Sequence, residues 1–282
     1  MKNLFLVFLV MSFLTSCEDV IEVDVPSEAP RLIVDAFMRI DTTNTTEPYF
    51  AEVKVSASSD FFGEVSPVQL DQITITNTVL NDTIILLETQ PGAGLYRTDT
   101  NVDFMTSGEL LLQINYRSSI FVARTTYVPA VPIDKVEEGS QTLFSGEETE
   151  IVVAFTDSPD REDFYLFDFD FNEYLVTEDA FYPGQKFEFS YFYDDGLESG
   201  RELDISILGV DEPFYNYMNQ LIVQSGGDQG PFQTPAATVR GNIINVTNID
   251  NINSFDNVGD TDNFALGYFA VCQTFTKSII LE

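Results

Sequence analysis

Histidine and tryptophan are absent from the 282-residue chain, and cysteine occurs only twice. Without an imidazole group, the protein cannot form a Ser-His-Asp or Cys-His catalytic centre, a zinc site that uses histidine, or the commonest general base near neutral pH. The absence of tryptophan disfavours a sugar-cleaving enzyme, although tyrosine can also stack on sugars. What remains open is chemistry carried by carboxylates, or binding without catalysis.

Basic residues are also scarce: 13 lysines and arginines stand against 46 aspartates and glutamates, which gives a formal net charge of -33. Such a charge repels nucleic acid and anionic lipid headgroups, so we expect no nucleic-acid partner. It suits cations, cationic ligands or the basic face of a protein partner, while solubility at a cell surface is the simpler explanation. A hydrophobic content of 44%, with 25 phenylalanines and 12 tyrosines, excludes a disordered chain.

A long apolar run occurs only at the N-terminus, where the stretch from Leu4 to Leu14 follows the positive Lys2. This run is too short to span a bilayer as a stable helix and is typical of an export signal. Leu14-Thr15-Ser16-Cys17 forms a lipobox, so residues 1–16 are predicted to be a lipoprotein signal peptide and Cys17 the lipid attachment site. An ordinary secretory signal with an incidental cysteine is the alternative.

The second cysteine, Cys272, has no intramolecular partner if Cys17 carries lipid. Stability must then come from packing and not from a disulfide. Cys272 lies in a strand-like apolar run, which predicts a buried, inert thiol and not a nucleophile.

Residues 17–30 are acidic and contain proline, which predicts a tether between the lipid and the folded part. From residue 31 to 130, short apolar runs alternate with turn signals, and Asn115–Ser119 is predicted to form a hairpin turn. Seven strands in about a hundred residues predict an immunoglobulin-like β-sandwich. The predicted strands are Arg31–Phe37, Phe50–Ser56, Gln72–Thr76, Thr83–Glu88, Leu95–Thr98, Glu109–Tyr116 and Ile120–Val128.

Pro129 and Pro132 mark a predicted domain boundary near residue 131, because proline cannot donate to a strand ladder. Residues 131–282 are predicted to form a second β-rich domain. Its predicted strands are Glu150–Phe155, Asp163–Phe171, Lys186–Tyr193 and Glu202–Val210. Two of them alternate with a period of two and place rings on one face. These rings belong to Tyr165, Phe167, Phe169 and Phe171, and to Phe187, Phe189, Tyr191 and Tyr193.

One amphipathic helix is predicted near residues 212–224. Asp211 supplies an N-cap, Pro213 an early helical proline, and the glycines after Ser225 a stop. The apolar residues Phe214, Tyr217, Met218, Leu221 and Ile222 recur at helical spacing. We expect this stripe to cover the aromatic face of the sheet, and we expect no other clear helix after Cys17.

Three groups of acidic residues are candidates for chemistry. The first is Asp194 and Asp195 with Glu198, and the second is the cluster Asp250, Asp256, Asp260 and Asp262. Both are rich in oxygen and are candidates for calcium binding, although neither follows a calcium-loop spacing and a solvated acidic loop is the simpler explanation. The third is Asp168 with Asp170, a candidate carboxylate pair for glycoside hydrolysis. No residue is assigned as catalytic or metal-binding, and no cofactor is expected.

Several short motifs give the chain a family resemblance. They are Ser16-Cys17-Glu18-Asp19-Val20-Ile21, Pro30-Arg31-Leu32-Ile33-Val34-Asp35, Pro231-Phe232, Pro235-Ala236, Gly241-Asn242-Ile243 and Gly267-Tyr268-Phe269. As a set, they resemble the domain-of-unknown-function 4249 family of outer-membrane lipoproteins. This family has no established enzymatic activity.

The resemblance implies a lipoprotein of Gram-negative bacteria that display many lipoproteins at the surface, often beside TonB-dependent outer-membrane transporters. Glu18 and Asp19 match the acidic signal for the outer face in such bacteria. Asp41-Thr42-Thr43 and Asp82-Thr83-Ile84 are similar to their O-glycosylation sequon, which would place sugar on Thr42 and Thr83, although Asp and Thr in turns explain both triplets.

The favoured function is therefore a non-catalytic accessory or ligand-binding partner of a TonB-dependent transporter. Two alternatives stay open: a carboxylate-based glycoside hydrolase, and a structural or adhesive surface protein.

Overall fold

Strands dominate the fold because apolar and polar side chains alternate along most of the chain. The structure, a computed structural model, describes residues 29–43, 49–60, 63–143, 145–194, 196–225, 237–247, 249 and 264–282. Its strands are β1 (Leu32–Ile40), β2 (Tyr49–Ala57), β3 (Ser66–Pro67), β4 (Gln72–Asn77), β5 (Asp82–Ile85), β6 (Leu87–Glu88), β7 (Leu95–Thr100), β8 (Glu109–Tyr116), β9 (Ser119–Val128), β10 (Ile133–Glu138), β11 (Thr149–Thr156), β12 (Phe164–Asp168), β13 (Tyr174–Glu178), β14 (Lys186–Tyr193), β15 (Glu202–Val210), β16 (Ile244–Asn245) and β17 (Leu266–Ile280). The fold is mainly β, as predicted.

Helices are few. Among the described residues, they are α1 (Val102–Thr106), α2 (Glu212–Gln224) and one 3₁₀ turn (Asp179–Phe181). The predicted bounds of α2 are confirmed, and Asp211 caps it by accepting a hydrogen bond from the Phe214 amide at 2.9 Å. The sequence prediction missed α1, because five residues are too few to show a helical period. Within the described residues, no helix is long and apolar enough to cross a membrane.

The first core lies inside a sheet whose strands follow the order β5-β4-β8-β9-β17-β1-β2-β7-β6. In β1, every second side chain from Leu32 to Ile40 is buried, so one face of this strand points into the core. The two end strands, β5 and β6, follow each other in the chain and are separated only by the buried Leu86. One short segment therefore connects both edges of the sheet.

The turn between β8 and β9 confirms the predicted hairpin. Tyr116 pairs with Ser119, and the two residues between them, Arg117 and Ser118, have φ angles of 49° and 67°. A two-residue turn with positive φ at both positions matches the twist of antiparallel strands.

The last strand, β17, joins the two halves of the chain. Residues 266–273 pair in parallel with β1, and residues 274–280 pair antiparallel with β15. The predicted domain boundary near residue 131 and the predicted sandwich stay predictions. However the chain is divided into domains, residues 266–273 of β17 belong to the same unit as β1, because the two segments pair.

The aromatic face of β12 is covered differently from the prediction. Phe167 lies 5.1 Å from Phe189, and Phe169 stacks on Tyr191 at 3.9 Å, so the sheet β10-β11-β14 forms the cover. The expectation that α2 covers this face is wrong. Side chains at odd and even positions point to opposite faces, and α2 packs on the other face, against Leu166.

Phe171 lies beyond the end of β12 and only borders the aromatic face, with its ring centroid 6.1 Å from that of Tyr193. β12 ends at Asp168, and Asp170, Phe171 and Asn172 all have positive φ angles in the turn to β13. The chain reverses there, and Phe171 remains 40% exposed.

Candidate functional site

A groove of about 260 Å³ lies between β1 and α2. The alternation of β1 creates it: the side chains at even positions fill the first core, so those at odd positions face outwards towards the helix. The α2 stripe supplies the opposite wall. The lining includes Asp35, Phe37, Tyr174, Phe214, Tyr217 and Tyr268.

Contacts between aromatic rings fix the walls of the groove. The ring centroid of Phe214 lies 5.1 Å from that of Phe37 and 4.8 Å from that of Tyr268. Tyr217 continues the series, 4.9 Å from Tyr268. Such pairs add stability beyond the area they bury, so we expect a preformed groove.

A glycine allows β17 to approach β1 at the floor of the groove. Gly267 has a φ of 97°, and a Cβ at this position would lie 1.9 Å from the Val34 carbonyl oxygen. The side chain of Asn242 holds the next part of β17 through two hydrogen bonds of 2.8 Å. Its Nδ2 donates to the carbonyl of Phe269, and its Oδ1 accepts from the backbone N–H of Phe269. Two motifs that carry the family resemblance therefore meet in space and are structural.

Charge in the groove is unevenly balanced. Arg39 forms an ion pair with Asp168 at 2.6 Å, with its guanidinium 5.2 Å from the Phe37 ring centroid. Asp35, by contrast, is exposed, and its carboxylate has no ion pair or hydrogen bond within the described residues. The carboxylate of Asp35 is therefore the unneutralised charge that lines the groove.

Burial and neighbouring carboxylates keep the groove tyrosines protonated. Burial and then the charge of Asp35 raise the pKa of Tyr217 to about 12. The pKa of Tyr174 is raised by burial and then by Asp168, Arg39 opposes this shift, and Asp35 adds a smaller increase. Asp35, Tyr174 and Tyr217 all line the groove.

The predicted carboxylate pair, Asp168 and Asp170, makes local contacts at the end of β12. Asp168 Oδ2 binds Arg39, and Asp168 Oδ1 accepts a hydrogen bond from the Asp170 amide at 3.0 Å. Asp170 itself lies in the left-handed turn that ends β12. Both residues therefore have structural roles in this turn.

The predicted calcium ligands are only partly described. Asp195 and the cluster Asp250, Asp256, Asp260 and Asp262 lie outside the described residues, as does Cys17. In the part of the chain that the structure covers, no three or more cysteine, aspartate or glutamate residues are grouped as a metal site. Calcium binding stays a prediction.

Both candidate glycosylation threonines make local contacts. Thr42 is half-buried, and its Oγ1 accepts a hydrogen bond from Gln273 Nε2 at 2.7 Å. Thr83 is exposed on β5, with its Oγ1 2.9 Å from Thr76 Oγ1. Cys272 is 1% exposed, which confirms the predicted burial, and burial raises the pKa of its thiol.

Sequence reasoning missed a buried polar cluster beside the aromatic core. The Tyr165 hydroxyl lies 2.6 Å from Asp157 Oδ1 and 2.9 Å from Asp163 Oδ2, and Arg161 pairs with Asp163 at 2.9 Å. Burial raises the pKa of Asp163, although Tyr165 and Arg161 oppose the shift. With Asp157 and Asp163 only 3% and 5% exposed, no polymeric substrate reaches these carboxyls.

A larger cleft, about 680 Å³, lies where the chain enters β1. Arg31 and Arg117 line it together with Asp60, Glu64 and Asp71, so its charges are mixed. A mixed lining does not favour one class of ligand. No sequence signal pointed to this cleft.

Comparison with known proteins identifies the family. Residues 18–278 match the family described as Domain of unknown function (DUF4249), so the match begins directly after Cys17 and covers almost all of the described fold. A search of curated proteins finds no match. The chain belongs to the DUF4249 family.

Proposed function

We propose that this protein is a lipid-anchored outer-membrane protein that faces the cell exterior and acts as a non-catalytic accessory or ligand-binding partner of a TonB-dependent transporter. The lipobox at Leu14–Cys17 supports the anchor, and the family match that starts at residue 18 is consistent with cleavage before Cys17. Residues 17–30, which are acidic and contain proline, would act as the tether to the folded part, in which the first described strand starts at Leu32.

The observation that carries a binding role is the groove between β1 and α2. It is concave, lined by aromatic rings and held in shape by their mutual packing, as small-molecule sites usually are. The carboxylates that the sequence nominated for catalysis are instead engaged in structural contacts.

A glycoside hydrolase needs two carboxyl groups about 5 to 9 Å apart that both face the sugar. Asp168 is bound to Arg39, whereas Asp157 and Asp163 are closed off in the interior. Neither pair favours this alternative. An adhesive role would be favoured by a loss of stability in chelator, which a thermal unfolding experiment measures.

The transporter partnership is tested by gentle solubilisation of outer membranes that contain the tagged protein, followed by mass spectrometry of the co-purified proteins. We expect a stoichiometric TonB-dependent transporter with the native chain and its loss with Cys17→Ala. Cys272→Ala is the matched control, because it removes the other cysteine and leaves the lipobox intact. Recovery of the lipoprotein alone, under conditions that preserve known transporter complexes, contradicts the proposal.

Display at the cell exterior needs its own test. We expect a membrane-impermeant amine reagent to label the protein on intact cells, and labelling to fall when Glu18→Gln and Asp19→Asn are combined. Labelling only after the outer membrane is opened would place the protein on the inner leaflet.

A further inference from the structure

We propose that the groove between β1 and α2 binds a small organic cation, an amine or quaternary ammonium ion, between the aromatic rings and the carboxylate of Asp35. The inference does not depend on the transporter, because the groove is built from described residues of this chain alone. Cation binding and transporter binding can therefore succeed or fail separately.

The size of the groove limits the ligand. Its volume of about 260 Å³ lies just below the range of roughly 300–1,000 Å³ that is usual for ligand sites. A peptide helix or an oligosaccharide does not fit such a volume. A headgroup-sized molecule such as choline does.

The lining selects for positive charge. Five aromatic rings line the groove, and the face of an aromatic ring attracts a cation through its quadrupole. The rings are those of Phe37, Tyr174, Phe214, Tyr217 and Tyr268. With the pKa of Tyr217 at about 12, its hydroxyl stays neutral, so Asp35 and not a phenolate provides the negative charge.

The balance of charges around the groove disfavours anionic and purely apolar ligands. The Arg39 guanidinium is neutralised by Asp168, whereas Asp35 has no partner in the described chain. An anion would face the uncompensated carboxylate of Asp35. A purely apolar ligand would remove water from that carboxylate without replacing it, which is costly. A cation satisfies both the carboxylate and the rings.

The other two clefts lack this combination. The 680 Å³ cleft mixes arginines with carboxylates and has a single aromatic side chain, Tyr116. A third cleft beside β14 is acidic, but Glu188 is paired with Lys135 and Glu150 accepts the Gln141 amide, so its carboxylates already have partners. Only the groove between β1 and α2 joins several rings to an unpaired carboxylate among the clefts described.

The test is isothermal titration of the lipidated full chain in detergent micelles. The probes are choline, tetramethylammonium and 3,3-dimethyl-1-butanol, the neutral isostere of choline. We expect both cations to bind with a Kd of about 1 mM or tighter. The isostere should bind at least about tenfold more weakly, because only the charge distinguishes it from choline.

Asp35→Asn should weaken choline binding about tenfold and leave the affinity for the isostere unchanged. Asp99→Asn is the matched control, because Asp99 is also an exposed strand carboxylate without a partner in the described residues but lies on β7, outside the groove. If both substitutions weaken choline binding equally, the cation is attracted by the acidic surface as a whole. That result would overturn the proposed site at Asp35.

The aromatic wall is tested with a pair of variants at Tyr217. Tyr217→Phe keeps the ring and should change choline affinity less than about twofold, whereas Tyr217→Leu should reduce it at least about fivefold. Thermal unfolding of each variant checks that the fold is intact. Absence of binding by both cations to the native chain, or equal binding of choline and its isostere, overturns the proposal.

Discussion

The two larger hydrophobic cores among the described residues use different side chains. Around β1, β2, β4 and β8, the buried residues are mostly aliphatic, as with Val53, Ile75 and Leu112. In the core between β12 and β14, aromatic rings make up a larger share, six of the fourteen buried residues described, and Phe155 contacts both Tyr165 and Phe167. The difference shows that the same alternation of strand residues can build a mostly aliphatic core or one that is rich in aromatic rings and their hydroxyl groups.

Hydroxyl groups in the aromatic core need partners, because an unpaired buried polar atom is costly. The Tyr193 hydroxyl donates to the Phe169 carbonyl, and the Tyr165 hydroxyl contacts two carboxyls. In the aliphatic core, Tyr96 instead uses backbone partners, donating to the Val68 carbonyl and accepting from the Leu70 amide. In the aromatic core, packing is therefore coupled to the carboxyl groups of Asp157 and Asp163.

The shared strand β17 links the two cores. Phe269 and Val271 belong to the aliphatic core, and Phe275 packs on the aromatic one. A strand with both sets of contacts cannot leave one core without disturbing the other. We therefore expect the cores to unfold together.

The largest expected effect comes from Phe167→Ala, which opens a cavity in the aromatic core and should lower the free energy of unfolding by about 3–5 kcal/mol. Ile75→Ala is the counterpart in the aliphatic core, with an expected loss of about 2–5 kcal/mol. Urea unfolding followed by far-UV circular dichroism and by tyrosine fluorescence measures both. Each variant should shift one transition seen equally by both probes. Two separate transitions, of which each variant moves only one, would show that β17 does not couple the cores.

Local features of this fold were predictable because a few neighbouring residues determine them. β14 and β15 begin and end where the period-two pattern places them, and α2 begins at its predicted cap. The pairing of β17 with β1 was not predictable, because residues more than two hundred positions apart form it and no local pattern encodes a parallel partner. The cover of the aromatic face was mispredicted for the same reason.

The candidate site was predictable only in part. The helical stripe pointed to Phe214 and Tyr217 as one apolar surface, although as a cover for a different face. Asp35 and Tyr174 come from β1 and β13, and neither has a sequence signal that relates it to the helix. Sites assembled from separate strands become visible only when the register of those strands is known.

A smaller effect tests the buried polar cluster. Tyr165→Phe removes the hydroxyl between Asp157 and Asp163 and should cost about 1–3 kcal/mol at neutral pH. Because burial already raises the pKa of Asp163, the folded state binds a proton more readily than the unfolded state, and the loss of the hydroxyl increases this preference. The cost should therefore shrink as the pH falls from 7 towards 5.

Tyr96→Phe is the matched control for this pH dependence. Its hydrogen-bond partners are backbone groups that do not titrate, so its cost should be similar at pH 7 and pH 5. Urea midpoints measured at both pH values provide the comparison. If the stability costs of the two substitutions change equally with pH, the pH dependence does not come from protonation of the carboxyl beside Tyr165.

The smallest expected effect comes from removing the N-cap residues of α1 and α2. Asp211→Ala should destabilise α2 by about 1 kcal/mol, and Asp211→Asn should restore most of the loss, because an amide oxygen can still accept from the Phe214 amide.

Asn101 caps α1 in the same way, accepting from the Phe104 amide at 2.8 Å. Asn101→Ala should cost a similar amount but leave choline binding unchanged, since α1 does not line the groove. Asp211→Ala should also weaken choline binding, because the helix that carries Phe214 and Tyr217 would fray at its first turn. If both alanine variants weaken choline binding equally, the groove responds to global stability and not to the position of α2.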